Sequence, residues 1–200
     1  MSKKINAENK TQYICEKAYE EFIQQGIHHF SLNKFIESLN MSKGQFYYYF
    51  KTKEELIYEV IKLKSQKILE HTAQQTKLGK TFLEKLFAFF SCYMEDSDPI
   101  YADLDKLIRD TFYLYFNVEN EYIKKMNLDF YNFTLQYVEE IFEEMIQIGY
   151  LKEDSKKFVR SLIATADGMY FHSMINDDYN LKKYLSEYLI MLDELLKKEK

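Results

Sequence analysis

Residues 42–53 read Ser-Lys-Gly-Gln-Phe-Tyr-Tyr-Tyr-Phe-Lys-Thr-Lys, and their reading decides the fold. Ser42 with Gln45 three residues later is a capping box, the reciprocal pairing that opens a helix. Successive helical residues turn by about 100°, so the rings that follow cannot all point inward. Phe46 and Phe50, at i and i+4, take the core side, Tyr49 is shared, and Tyr47 and Tyr48 are left outside. Lys43 is basic, Gly44 has no side chain to hold off a close backbone, and Lys51 and Lys53 lie just beyond. Basic, hydroxyl and amide groups at a helix N-terminus suit phosphates and base edges. The plain alternative is that the rings only fill a small core, but that leaves two exposed tyrosines unexplained. Gln45 has a competing explanation of its own, since capping satisfies it without any ligand.

The flanking residues supply the rest of the unit. Ile14, Cys15, Ala18, Tyr19, Phe22 and Ile23 recur at helical spacing, which predicts a helix from about Glu8 to Gln25, stopped by Gly26. Ser31 is placed to cap a second helix, whose Leu32, Phe35, Ile36 and Leu39 share one face. Asn40-Met41 makes the tight connection, Asn tolerating the left-handed conformation a sharp turn needs. Thr52 with Glu55 opens a fourth helix. Two short helices joined by a tight turn, the second polar on its leading face, form a helix-turn-helix.

Residues 11–61 resemble the N-terminal domain of the tetracycline-repressor (TetR) family of bacterial transcription regulators. The matching residues are Ala18, Phe22, Gly26, Ser31, Ile36, Ser42-Lys43-Gly44, Tyr47, Tyr49-Phe50 and Lys53-Glu54-Glu55-Leu56. Asn40 departs from a common glycine, and Phe30 from a common Thr or Ser, which bears on how the second helix meets phosphate. The resemblance implies an all-α fold of about nine helices. Residues 1–53 would be the DNA-binding domain, linked by helix four (52–78) to a ligand-binding and dimerisation domain over 54–200. It further implies a cytoplasmic repressor on the nucleoid that binds palindromic double-stranded operator DNA as a homodimer and is released by a small molecule. A regulator of the same fold with no inducer is the alternative. The DNA-contacting set is Ser31, Ser42, Lys43, Gly44, Gln45, Tyr47, Tyr48 and Lys53. Lys43, Lys53 and the N-terminal lysines are expected on phosphate, and Gln45 and Tyr48 on base edges.

The net charge of −5 runs against DNA binding until it is divided. Residues 1–53 carry +3 and the remaining 147 carry −8, a basic head on an acidic body that keeps DNA to one end. One Pro, five Gly and 46% hydrophobic residues fit an all-helical chain. No apolar run has the length of a membrane span, and the first ten residues lack a signal-peptide core. Cys15 and Cys92 fall on apolar helical faces and read as buried thiols in a reducing cytosol. The sequence has no glycine-rich phosphate loop, paired-Cys motif or His-Glu-x-x-His. His28, His29, His71 and His172 make no metal set, so neither catalysis nor a cofactor is expected.

Beyond the head, the fourth helix is expected to run to Leu78, before Gly79, as a lever into the body. A box at Thr81 and Glu84 opens a fifth helix to about Glu95. Asp98-Pro99 opens a sixth to about Phe116, and a seventh runs from about Val118 to Ile148. Asp154 or Ser155 opens the eighth and Asn180 the ninth. Residues 81–150 hold 17 of the chain's 34 Phe and Tyr. Most must be core, but buried hydroxyls want partners, and an aromatic cavity suits a flat or greasy ligand. Phe89, Phe90, Tyr93, Ile108, Phe112, Phe133, Tyr137 and Phe171 are the expected lining. Glu95, Asp103, Asp105, Asp110 and Asp129 would favour a cationic ligand only if they point inward. The last two helices read as a dimer interface through Leu162, Ala166, Met169, Tyr170, Ser173, Leu185, Tyr188, Leu189 and Leu192, since one helix-turn-helix reads a half-site poorly by itself.

Overall fold

The helix signals become nine α-helices among the described residues of this computed structural model, which are 2–94, 99–116 and 119–199, the side chains of 2–8, 67, 99 and 100 excepted. They are α1 Ser2–Gln25, α2 Leu32–Ser38, α3 Lys43–Tyr49, α4 Lys53–Leu78, α5 Phe82–Phe89, α6 Pro99–Thr111, α7 Glu121–Gln147, α8 Val159–Ile175 and α9 Leu181–Leu196. The expected all-α class is what the chain adopts. The described residues hold no strand, only an isolated bridge between Leu151 and Lys197.

Local chemistry sets most boundaries. At the end of α2, the Asn40 amide donates to Glu37 O and that of Met41 to Ile36 O, with Asn40 at φ 51°. This is a Schellman stop with Asn in the left-handed position, which Asn tolerates better than most residues. The Ser42 box forms: Ser42 N donates to Gln45 Oε1 (2.8 Å) and Gln45 N to Ser42 Oγ (3.2 Å). Thr81 and Glu84 form another, and Asn180 accepts from Lys183 N at 2.9 Å. The Thr52 box is half made, because the Glu55 carboxylate takes the amide of Lys51 instead.

Four boundaries differ from expectation, the first being that of α1, which begins at Ser2 rather than near Glu8. The fifth and sixth helices tighten early into 3-10 turns, at Ser91–Tyr93 and Phe112–Phe116. The eighth does not open at Asp154 or Ser155. A 3-10 turn occupies Glu153–Phe158, and Ser155 is fully buried with no hydrogen bond to its hydroxyl. The Asp98 cap, Glu95 and the Val118 start lie outside the described residues.

The chain packs as two compact units. The first comprises Met1–Lys67 and Ser97–Asn127, the second Ile68–Asp96 and Leu128–Lys200. Packing therefore draws its line within α4 rather than after residue 53, because α6 joins the head. Tyr19 on α1 donates to Asp103 on α6 (3.4 Å), and the Lys64 ammonium lies 3.9 Å over the Tyr19 ring. In the first unit Ile14, Ala18, Phe22, Phe35, Ile36, Phe46, Phe50, Leu56 and Ile57 are buried, each such large side chain contributing about 1.5–3 kcal/mol. Phe30 is buried too, edge-on to Phe22 at 4.7 Å. Its departure from the usual hydroxyl thus serves the core rather than a phosphate.

The second unit is built from α5, α8 and α9 with the latter part of α7. Lys85 is buried there, donating to Thr76 O near the end of α4 (3.2 Å) and pairing with Glu144 (3.1 Å), a cation where the helix dipole favours one. At its far end, Tyr150 donates to the buried Asp193 carboxylate at 2.9 Å. Burial and that carboxylate push the Tyr150 hydroxyl up to about 12. An unfolded tyrosine ionises near pH 10, so between about pH 10 and about 12 the unfolded chain loses this proton while the fold retains it. Stability should therefore fall across that window and be indifferent to this group below it. Urea midpoints at pH 8 to 11 should show the fall. Tyr150→Phe should flatten part of it, at a loss of about 1–3 kcal/mol at neutral pH from the stranded carboxylate.

Candidate nucleic-acid interface

The recognition segment is amphipathic in the manner its spacing requires. Phe46 and Phe50 are buried and Tyr49 is half-buried, while Ser42, Lys43, Gly44, Gln45, Tyr47 and Tyr48 are exposed. Tyr48 is the most open ring of the set at 72%. The Ser42 box commits Gln45 Oε1 and leaves its amide donors available for a base edge. A Cβ built on Gly44 would meet only Ser42 Oγ, 4.0 Å away. Nothing inside the chain demands glycine there, so the demand, if any, comes from what docks outside.

Two residues expected on phosphate stand differently. Ser31 precedes α2 in extended conformation and is exposed, but its hydroxyl makes no capping bond. Lys53 is half-buried, donating to the carbonyls of Ile27 (3.3 Å) and Phe30 (3.2 Å), with its ammonium 5.4 Å from the Phe30 ring. It ties the first loop to the start of α4. Lys53→Ala should accordingly lower the melting temperature, by a stability loss of about 1.5–3 kcal/mol for hydrogen bonds to a charged group, and leave the salt dependence of DNA binding little changed. A full phosphate contact would instead reduce that slope by about 0.9.

Beside α3 lies a cavity of about 460 Å³ lined by Lys10, Leu39, Asn40, Met41, Gly44, Gln45, Tyr48 and Tyr49. Of these, Leu39, Asn40 and Met41 carried no expectation of a site in the sequence, while Lys10 is one of the N-terminal lysines expected on phosphate. The signal for Asn40 was its left-handed turn position.

The other expected sites are rearranged by packing. Leu162, Ala166, Tyr170, Leu185, Leu189 and Leu192, expected at a dimer interface, are buried in the core of the second unit. Met169 and Tyr188 pack against that core, and the Ser173 hydroxyl donates back to Tyr170 O. The apolar positions left open on these helices are Phe171 and Ile175 on α8, and Tyr184, Ile190, Met191 and Leu195 on α9. Of the expected cavity lining, Ile108 and Phe112 belong to the first unit and the other six to the second. Phe89 and Phe90 are buried, whereas Phe133 and Phe171 are exposed. In the second unit the rings form a chain, Phe133–Tyr137–Phe89–Phe90–Tyr93–Tyr170, with centroids 5.0–6.1 Å apart. The Tyr137 hydroxyl donates to Ala73 O at 3.0 Å. The interleaved acids find other roles: Asp103 accepts from Tyr19, Asp105 pairs with Arg109 at 2.6 Å and Asp129 is exposed. Cys15 is buried, which pushes its thiol up to about 12 and makes it unreactive. Cys92 is exposed, contrary to expectation, because it sits in the 3-10 turn after α5. Among the described residues no group of His, Cys, Asp and Glu could hold a metal ion, and no helix is long and apolar enough to cross a membrane.

A helix-turn-helix whose second helix is open, with Lys43 and two tyrosines on its outer side, has the form of a DNA-docking head carried by an all-helical chain. Residues 14–60 match the family described as bacterial regulatory proteins, tetR family. The HTH-type transcriptional regulator QacR of Staphylococcus aureus is 29% identical over 119 residues, 60% of this chain and 62% of that one, so the match spans less than two thirds of that relative's length. A TetR-family regulator from Cytophaga hutchinsonii superposes with a TM-score of 0.77 at 18% identity, covering 98% of each chain. A transcriptional regulator from Saccharomonospora viridis, solved in complex with choline, gives 0.72 at 14% identity, covering 96% of this chain and 100% of that one. These low identities speak to the fold. The match over residues 14–60 identifies a tetR-family domain there, and the rest of the chain shares the fold of solved TetR-family regulators.

Proposed function

We propose that the protein is a homodimeric, cytoplasmic repressor that holds a near-palindromic operator with α3 and leaves it when a hydrophobic, aromatic small molecule binds the second unit. The observation that carries this reading is the division of α3, with Phe46 buried in the head and Lys43, Gly44, Gln45, Tyr47 and Tyr48 all open. Lys43 meets phosphate, and Gln45 and Tyr48 read base edges in the major groove. Two half-sites about one helical turn apart, roughly 34–36 Å, call for a two-fold pair of heads.

The dimer is supported by stripes that the fold leaves largely open, although Tyr188 within one of them also packs against the core. On α8, Ala164, Gly168, Phe171 and Ile175 recur at i, i+4, i+7 and i+11; on α9, Tyr184, Tyr188, Met191 and Leu195 do the same. Gly168 has open space around it and Ala164 one turn earlier is exposed, which suits the close approach of a partner helix. The interface thus uses the two helices expected from the sequence, on the opposite face of α8 and on an adjoining face of α9 that keeps Tyr188.

The effector is supported by the six-ring chain of the second unit, whose exposed Phe133 gives a flat ligand an open ring face to stack on. Of the described acids among the aromatic residues, Asp103 and Asp105 are engaged, Asp129 is exposed and Asp110 is half-buried, which favours a neutral ligand over a cationic one; the choline bound by one structural relative makes quaternary ammonium compounds the first cationic class to try. A regulator of the same fold without an inducer is the second reading, favoured by the bond that already satisfies the Tyr137 hydroxyl. Selection of bound duplexes from a random pool tests the first claim and should return an inverted repeat. A screen of fatty acyl compounds, flavonoids and cationic dyes tests the second. An inducer should perturb the emission of the 18 tyrosines, unmasked by any Trp, and weaken operator binding over one concentration range, by about 5–150-fold for a coupling of about 1–3 kcal/mol. Binders that leave DNA affinity untouched would decide for the second reading.

A further inference from the structure

The cavity beside α3 takes that DNA-docking reading a step further. Resting on it, we propose that the groove between α1 and the turn into α3 seats the sugar–phosphate backbone of one operator strand, with Lys10 and Asn40 as its contacts. Gly44, Gln45 and Tyr48 form one wall of the groove and belong to the DNA-facing set. A duplex docked on α3 therefore runs its backbone along the groove mouth. None of the eight lining residues is acidic, and Lys10 supplies the positive charge. Its ammonium sits 4.8 Å from the centroid of the half-exposed Tyr13 ring. That contact restrains a flexible side chain before binding and so reduces the ordering lost on pairing with phosphate.

Asn40 is the second contact. The turn needs a residue at positive φ, and glycine meets that need at least as well as asparagine. The Asn40 side chain is exposed on the groove and makes no hydrogen bond among the described residues, so the amide is surplus to the turn. Its two N–H donors match phosphate and sugar oxygens. Leu39 and Met41 give the groove an apolar floor suited to the face of a sugar ring.

The test uses the full chain and a duplex selected by the unaltered protein from a random pool. Lys10→Gln should weaken selected and unrelated duplexes alike and lower the slope of log affinity against log salt by about 0.9. Asn40→Gly keeps the turn and removes the amide. It should weaken binding about three- to tenfold, the scale of one hydrogen bond, with the slope unchanged because a neutral group releases no counterion. Lys17→Gln, on the same helix but paired with Glu20 at 2.7 Å and away from the groove, should match the unaltered protein. Melting temperatures of all three should agree, and phosphate-ethylation interference should lose a position in each half-site with Lys10→Gln. If the unaltered protein selects no sequence, the regulator reading and the groove fall together. If it selects one, and Lys43→Ala weakens binding while Lys10→Gln and Asn40→Gly do not, the groove assignment alone is overturned.

Discussion

Leu189→Asp should unfold the second unit, whereas Met191→Glu, two residues along the same helix, should leave it folded and make it monomeric. Leu189 is fully buried among Leu162, Leu185, Leu192 and Phe142 in one core cluster. An aspartate there both opens a cavity and buries an unpaired charge, a loss on the order of 4–5 kcal/mol, comparable with the whole stability of an ordinary domain. Met191 is 55% exposed in the single chain, so a glutamate there meets water and costs the monomer little. In the proposed dimer it meets the partner helices, and Phe171→Glu acts in the same way from α8. Circular dichroism should show lost helix content for Leu189→Asp only. Sedimentation should show monomers for Met191→Glu with Phe171→Glu. Operator affinity of that pair should drop about 10²–10⁴-fold, the usual worth of linking two binding modules. A double variant that stays dimeric would put the interface elsewhere.

Gly44 offers the second large effect, and its strength is that stability and binding move in opposite directions. Gly44→Ala should raise the stability of the head by up to about 0.5–1 kcal/mol, because glycine inside a helix is unfavourable relative to alanine and the nearest atom to a new Cβ is 4.0 Å away. In the proposed docking the same methyl group faces the duplex. Alanine should weaken operator binding modestly, and the branched side chain of Gly44→Val by ~10²-fold, close to 3 kcal/mol. A thermal melt alongside a binding titration separates the two effects. Val and Ala variants that bind as tightly as the unaltered protein would remove α3 from close contact with the duplex.

The contrast between α3 and α9 shows where reading from sequence stops. Ser42 and Gln45 report their helix because both partners lie within one turn of chain, and the bonds they predict are the bonds found. Tyr47 and Tyr48 report exposure because a seven-residue helix against a small core has only one inner side. Helix α9 has no such economy. Leu185, Leu189 and Leu192 make one apolar stripe, and Tyr184, Tyr188, Met191 and Leu195 another. Periodicity shows that both are apolar and is silent on which meets its own chain and which a partner. Lys53 shows the same limit. A lysine at the start of a helix looks free for phosphate, and the carbonyls that engage it belong to residues 23 and 26 positions away.

By itself, then, the sequence determined what depends on neighbours along the chain: the helix-turn-helix, its caps, the left-handed Asn40, the open face of α3 and the basic head. These follow from backbone geometry and hydrogen bonds that close within a few residues. The tertiary structure alone decided what depends on residues far apart: that α6 packs with the head, that the expected interface leucines fill a core, that six rings of the second unit form one chain of contacts, and that Lys10 shares a groove with Asn40 and Tyr48. Burial of apolar surface drives those choices and is non-directional. It rewards any apolar face that finds another, so the pairing is set only when all the helices compete for the same core.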